Sequence, residues 1–158
     1  MKNRFLSNII LTFLWVALTG NFQFPNYVFG FAVSFFLLRI TTRGRKEAKY
    51  FRIVPKVISF IFFFLYELLK SNLQVAYEVL TPKHHMTPGI VRVPLDASTD
   101  LEISFLANLI SLTPGTLSLD VSTDRKVLYV HSMYIKDREN FIAGIKNGFE
   151  KRLLQILR

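Results

Sequence analysis

The chain has 158 residues, 51% of them hydrophobic and 15% aromatic, with 16 Phe, no Cys and a formal charge of +9. The lack of Cys excludes disulfides and thiolate metal sites. The charge is unevenly placed: residues 1–82 carry ten Lys/Arg against three Glu, and residues 83–158 carry ten against eight Asp/Glu. The basic excess accompanies the apolar half, the pattern of a membrane protein with cationic loops, and it speaks against a nucleic-acid partner.

Lys2 and Arg4 open the chain, and no charged residue follows from Phe5 to Leu38. Gly20, Asn21, Pro25 and Asn26 interrupt that run with turn-forming residues. The spacing predicts two short transmembrane helices, over residues 5–19 and 26–40, closing a hairpin domain of residues 1–40. At ~1.5 Å per residue each is roughly 22 Å long, less than the ~30 Å hydrocarbon core. Thinned lipid or shielding by neighbouring subunits is then implied. A cleavable signal is the competing reading; Ala17-Leu18-Thr19 makes a poor cleavage site, and a second apolar run follows at once. Gly30 and Ser34 form a small-xxx-small pair, a candidate helix-packing site that lets another helix approach closely.

Residues 39–56 hold seven cations (Arg39, Arg43, Arg45, Lys46, Lys49, Arg52 and Lys56) and one anion, Glu47. The positive-inside rule makes this loop cytoplasmic, with the N-terminus on the same side. Such a cluster also suits acidic lipid headgroups. A third helix is expected over residues 57–80, so that 41–82 combines basic loop and membrane-associated helix. Residues 57–66 are apolar on all sides. Beyond them Glu67, Ser71, Gln74 and Glu78 form one polar stripe, and Leu68, Leu69, Leu73, Ala76, Val79 and Leu80 lie opposite. Lys70 borders the stripe, and Glu67 with Lys70 is a candidate intramembrane or interfacial ion pair. This helix either spans with its stripe against a partner or runs along the interface. The interfacial course keeps the polar face wet, and on that ground the downstream domain is expected to be cytoplasmic.

After Thr81-Pro82 the composition becomes that of a soluble α+β domain, residues 83–158. Residues 90–95 read as a strand, with Pro94 at an edge or end. Thr99-Asp100-Leu101-Glu102 matches a capping box. The helix after it is expected to bury Leu101, Phe105, Leu106, Leu109 and Ile110, and Pro114-Gly115 stops it. Residues 116–121 alternate as a half-buried strand does, and residues 127–133 return after a five-residue turn. A last helix is predicted over 137–157, with Asp137 and Glu139 near its start and Lys151 and Arg152 near its end. Its apolar face is Ile142, Ile145, Phe149 and Ile156. The order β-α-β-β-α is a truncated relative of the split βαβ arrangement. Residues 103–119 carry no charge, but Pro114-Gly115 and the alternation after it argue against a membrane span there.

Candidate sites are few. Thr113-Pro114-Gly115-Thr116 is a helix stop or a contact turn; Pro cannot continue a helix and Gly permits positive φ. Adjacent His84 and His85 diverge and read as solvated linker residues rather than metal ligands. His131 reads as a half-buried strand residue. Ser111, Asp120 and His131 supply triad residue types without a nucleophile elbow. No phosphate loop occurs. The residues give no catalytic, cofactor-binding or metal site, and no enzyme is expected.

Asn108-Leu-Ile-Ser-Leu-Thr113-Pro114-Gly115-Thr116-Leu-Ser-Leu-Asp120-Val121, followed by Leu128-Tyr-Val-His131-Ser-Met133, resembles the signature of the E-subunit family of Mrp-type multisubunit Na+/H+ antiporters. The resemblance covers the whole chain, and the Thr-Pro-Gly-Thr stretch is its most specific part. It implies a multi-pass plasma-membrane protein held in a hetero-oligomer that exports Na+ in exchange for H+. The partners it implies are the other antiporter subunits, with Na+ and H+ moving through the complex and lipid around it. In that family the ion pathways are ascribed to large subunits similar to the proton-pumping membrane subunits of respiratory complex I, and the E-type chain is accessory. The residues support that division independently: a cation pathway needs ionisable groups within the membrane, and the first two helices contain none. The alternative reading is a membrane-anchored small-ligand-binding or regulatory module.

Overall fold

The computed structural model describes residues 2–41, 48–82 and 86–158. They form two compact units, Met1–Pro55 and Lys56–Arg158.

In the first unit α1 (Lys2–Thr19) and α2 (Phe24–Thr41) make a helical hairpin. Gly20 turns the chain at a φ of 64°, a conformation that costs glycine little. Asn26 staples this turn: its Nδ2 donates to Thr19 Oγ1 and Asn21 O at 2.7 Å each, and its Oδ1 accepts from Trp15 Nε1 at 3.1 Å. α2 starts two residues before the expected position 26, because Pro25 fits the first turn of a helix, where its missing N–H is not needed. Among the described residues, α2 is the one helix long and apolar enough by itself to cross a membrane; α1 is shorter in its apolar part.

The third helix corrects the sequence expectation. α3 runs Ala48–Leu80 over 33 residues, with Pro55 inside it, and does not wait until residue 57. Residues 39–56 are therefore not a loop throughout: Arg39 lies in the last turn of α2, and Lys49, Arg52 and Lys56 lie on α3. Pro within a helix costs roughly 3 kcal/mol. Burial offsets that cost here: Tyr50 and Phe51 are buried with Phe35 and Leu38, and Val54 packs on the same cluster. Asn8 Nδ2 donates to Tyr50 Oη at 2.6 Å inside it. Arg43, Arg45, Lys46, His84 and His85 lie outside the described residues.

The second unit holds the rest of α3 and the α+β domain: β1 (Gly89–Pro94), α4 (Asp100–Ser111), β2 (Thr116–Val121), β3 (Val127–Ser132), α5 (Arg138–Gly144), a π-helical stretch (Ile145–Glu150) and α6 (Lys151–Leu157). The sheet order is β1-β3-β2, all antiparallel. α4 thus carries the chain from β1 to the far edge and β3 fills the gap, which is the split arrangement expected. A register shift between Ser118 and Asp120 bulges β2, so its alternation is not carried strictly through the ladder.

One face of the sheet builds the core: Val91, Val93, Leu128 and Val130 pack with Leu106, Ile110, Ile145, Phe149 and Leu153. Ile90, Leu117 and Leu119 on the other face stay exposed. Leu101 and Phe105, expected inside, are 55% and 53% exposed, while Ile103 is buried. α4 presents Ile103, Leu106 and Ile110 instead, an equally valid i, i+3, i+7 stripe. The single last helix expected over 137–157 is widened in its middle. Ile145 and Glu150 are both buried. In an α-helix, residues five apart point about 140° apart; i→i+5 bonding brings them to one side.

Candidate functional site: a groove behind the third helix

A cavity of about 500 Å³ lies within the second unit. One wall is α3, through Phe63, Glu67, Lys70, Ser71 and Gln74. The Thr113–Thr116 turn, Tyr134 and the α5–π segment complete it. The stripe singled out in the sequence therefore faces the chain's own domain over much of its length. Two groups of candidate residues, Glu67 with Lys70 and Thr113-Pro114-Gly115-Thr116, meet in one cavity.

Each group has a local cause. Glu67 and Lys70 are three residues apart on α3 and pair at 3.6 Å, with Lys70 60% exposed and Glu67 25% exposed. Thr113 Oγ1 donates to Ile110 O at 2.7 Å and lies 2.6 Å from Thr116 Oγ1; Thr116 Oγ1 also reaches Ile110 O at 2.6 Å. The two hydroxyls thus satisfy the open carbonyl at the end of α4. Gly115 has a φ of 86°, and a Cβ there would meet the Tyr134 ring at 3.3 Å. Its carbonyl accepts from Met133 N at 2.8 Å, tying the turn to the end of β3. The hydrogen bonds of this turn are structural, and Thr113, Pro114, Gly115 and Thr116 all line the cavity.

The other side is set by close packing. Gly148 lets α3 approach: a Cβ there would stand 3.0 Å from Phe63 Cζ. The Phe63 ring packs edge-on to Phe149 at 5.2 Å, and the Arg152 guanidinium stacks over it at 4.5 Å. The Tyr134 hydroxyl is buried and has no hydrogen-bond partner among the described residues. Burial first, and the charge of Glu78 second, push its pKa above the usual tyrosine value. Glu78, at the far end of the stripe, is buried and accepts from Met86 N at 3.1 Å.

The remaining candidates are not among the residues that line the groove. Gly30 faces α1, where a Cβ would be 2.8 Å from Trp15 Cδ1, and Ser34 is buried on the same helix. The approach Gly30 permits is that of α1. Ser111 Oγ accepts from Ser118 N at 3.0 Å, Asp120 accepts from Val121 N at 2.8 Å, and half-buried His131 pairs across the sheet with Ile90 and Leu117. Among the described residues no three His, Cys, Asp or Glu side chains gather as a metal site would need.

Sequence reasoning missed an ionic frame elsewhere in the α+β domain. Glu150 is 1% exposed, and its Oε1 accepts from Asp96 N at 2.6 Å and Ala97 N at 2.9 Å. Lys146 Nζ lies 3.1 Å from Glu150 and 2.9 Å from Asp96. Desolvation pushes the Lys146 pKa down, but the Asp96 and Glu150 hydrogen bonds outweigh it and leave it raised. Arg158 grips Glu102 with Nε at 2.9 Å and Nη2 at 3.1 Å. That hydrogen bonding, followed by Ser98 N–H, lowers the Glu102 pKa to about 2. The Lys146–Glu150 spacing of i, i+4 was readable; the burial of Glu150 was not.

The architecture is that of a helix-bearing α+β protein in which an apolar hairpin precedes a small domain packed along the polar side of a long amphipathic helix. Comparison with known proteins gives the family. The profile of the Na+/H+ ion antiporter subunit family matches residues 8–156, and the chain belongs to that family. It is 36% identical over 156 residues to the E subunit of the Na+/H+ antiporter of Alkalihalophilus pseudofirmus, covering 99% of each chain. It is 34% identical to the corresponding Na+/H+ antiporter chain of Bacillus subtilis over the full length of both. Among solved structures, a chain of the Mrp complex from Dietzia sp. DQ12-45-1b is 29% identical with a TM-score of 0.50, over 65% of this chain and 96% of that one. A chain of the membrane-bound sulfane sulfur reductase, an archaeal respiratory membrane complex, is 29% identical with a TM-score of 0.55, over 97% and 98%.

Proposed function

We propose that this chain is an accessory subunit of a plasma-membrane Na+/H+ antiporter complex, needed for assembly or activity and not itself carrying the ion pathway. The observation that carries the reading is the full-length similarity to antiporter E subunits combined with a hairpin that has no ionisable Asp, Glu, His, Lys or Arg between Phe5 and Leu38. A coupled cation path requires such groups within the membrane. In this reading α1 and α2 cross the bilayer, and the cationic segment between α2 and α3 and the C-terminal domain are cytoplasmic. Na+ and H+ pass through partner subunits.

Two measurements test it. Purification in mild detergent should recover the chain with several very hydrophobic polypeptides, and its deletion should abolish or impair antiport in membrane vesicles. A homogeneous small oligomer, with antiport intact in its absence, would instead favour a membrane-anchored regulatory module. Cys introduced at Arg45 of this Cys-free chain should resist a membrane-impermeant thiol reagent in intact cells; rapid labelling would reverse the orientation.

A further inference from the structure

We propose that α3, from Ile58 to Leu80, lies in the plane of the membrane surface and docks the C-terminal domain onto lipid. The presence of a bilayer rests on the accessory-subunit reading; the orientation rests on the faces of one helix.

At 100° per residue, Ile58, Ile61, Phe62, Leu65, Leu69, Leu73, Val79 and Leu80 fall on one side of α3, and each is between 49% and 82% exposed. Their single polar neighbour is Asn72, whose amide is bonded back to Leu68 O at 2.8 Å. No charged residue interrupts this strip, which is roughly 33 Å long at ~1.5 Å per residue. The opposite side of the same stretch faces the domain: Phe63 packs on Gly148 and Phe149, Glu67, Ser71 and Gln74 line the groove, and Glu78 bonds to Met86.

That arrangement decides between the two courses open to an amphipathic helix. Were residues 58–80 to span the bilayer, the elements packed along their polar side would enter hydrocarbon with them, including Asn140, Asn147 and the Glu67–Lys70 pair. Polar and charged groups without water are costly there. Lying flat puts the strip in the acyl–headgroup boundary and leaves the groove and domain in water. The borders match: Tyr66 and Tyr77 flank the strip on one edge, 62% and 60% exposed, as amphipathic rings do at headgroup level. The occupant of the strip is therefore lipid.

The test is a depth profile on the full chain, in the assembled complex and alone, reconstituted in phosphatidylethanolamine–phosphatidylglycerol vesicles. Single substitutions Ile58→Cys, Leu65→Cys, Leu69→Cys, Leu73→Cys and Leu80→Cys carry a nitroxide, and collision with oxygen is compared with collision with a water-soluble nickel chelate. All five should report one shallow depth, ~5–10 Å below the headgroups, while Ser71→Cys reports water. A depth that runs from one face to the other between Ile58 and Leu80 would show a span and overturn the proposal. So would labels freely reached by the nickel chelate, or labels shielded from both reagents in the complex, which would mean a protein partner. Assembly is scored separately by co-purification, so loss of the subunit reading leaves the depth profile of the chain alone readable.

Discussion

Replacing Glu150 by Ala should be among the most damaging single changes in the α+β domain. Its carboxylate is buried, and one oxygen accepts both Asp96 N–H and Ala97 N–H. Truncation strands those donors and removes the partner of Lys146, 3.1 Å away. Two hydrogen bonds to a charged acceptor are worth about 3–6 kcal/mol. The Lys146 contact adds little by itself, because its side chain is 24% exposed and partly screened. Glu150→Gln separates the contributions, since its carbonyl oxygen can accept from the same two N–H groups. It loses only the charge, and with it roughly half the strength of each bond, so a cost of about 1.5–3 kcal/mol is expected. At about 4–8 °C per kcal/mol for a domain of this size, the Ala variant should melt roughly 12 °C or more below the parent, and the Gln variant should lose about half as much. Thermal unfolding of the detergent-purified chain, followed by near-ultraviolet circular dichroism, measures both. Equal shifts, or a loss under about 1 kcal/mol in the Ala variant, would refute the assignment of Glu150 as the anchor of the Asp96–Ala97 segment.

Glu102 predicts a pH dependence. Its folded pKa, about 2 against an ordinary 4.5, is depressed mainly by Arg158, so its contribution is complete above the ordinary value and is lost as pH falls from there through 2. The stability gap between the parent and Glu102→Gln in urea titrations should be widest near neutral pH and close as pH falls through that window; a gap independent of pH would sink the idea. The glycines of the last helix make an opposed pair. A Cβ at Gly144 meets nothing within 4 Å, whereas one at Gly148 would press on Phe63 at 3.0 Å. Gly144→Ala should raise stability by up to ~1 kcal/mol through helix propensity, and Gly148→Ala should gain less or lose stability, as read from the same melts; identical gains would show that Phe63 yields freely.

Much of this fold was legible because local chemistry and tertiary structure agree. Thr99 and Glu102 form the capping box their spacing announces. Pro114 and Gly115 end α4, and the turn between β2 and β3 falls where the polar residues are. The failures share a cause, which is that burial was decided by groups distant in sequence. The start of α3 was hidden by Pro55 and by a run of cations, since the packing of Tyr50 and Phe51 on Phe35 leaves no local mark. α4 carries two overlapping apolar stripes, one through Leu101 and Phe105 and one through Ile103 and Ile110, and only the sheet chooses between them. The π-helical widening at Ile145–Glu150 places a carboxylate inside, which no helical period would nominate. The polar stripe of α3 was visible, but a stripe looks the same whether water, a partner or the chain's own domain lies against it.

The use made of carboxylates bears on the accessory role proposed above. A group that relays protons must gain and release one near working pH. Glu102 is held at about 2 by Arg158 and backbone donors, so it stays ionised and serves as a fixed anchor. Glu150 fastens the Asp96–Ala97 segment to the last helix, Asp137 caps α5, and Asp100 meets Arg125 at 2.9 Å. These acids act in the α+β domain as fasteners between backbone segments, while the hairpin contains none. Glu150 and Glu102 each tie segments distant in sequence, whereas Asp137 caps its own helix and the exposed Asp100–Arg125 pair adds little. A domain braced by such contacts along a long amphipathic helix is consistent with the accessory role proposed above, in which exchange depends on groups placed within the membrane.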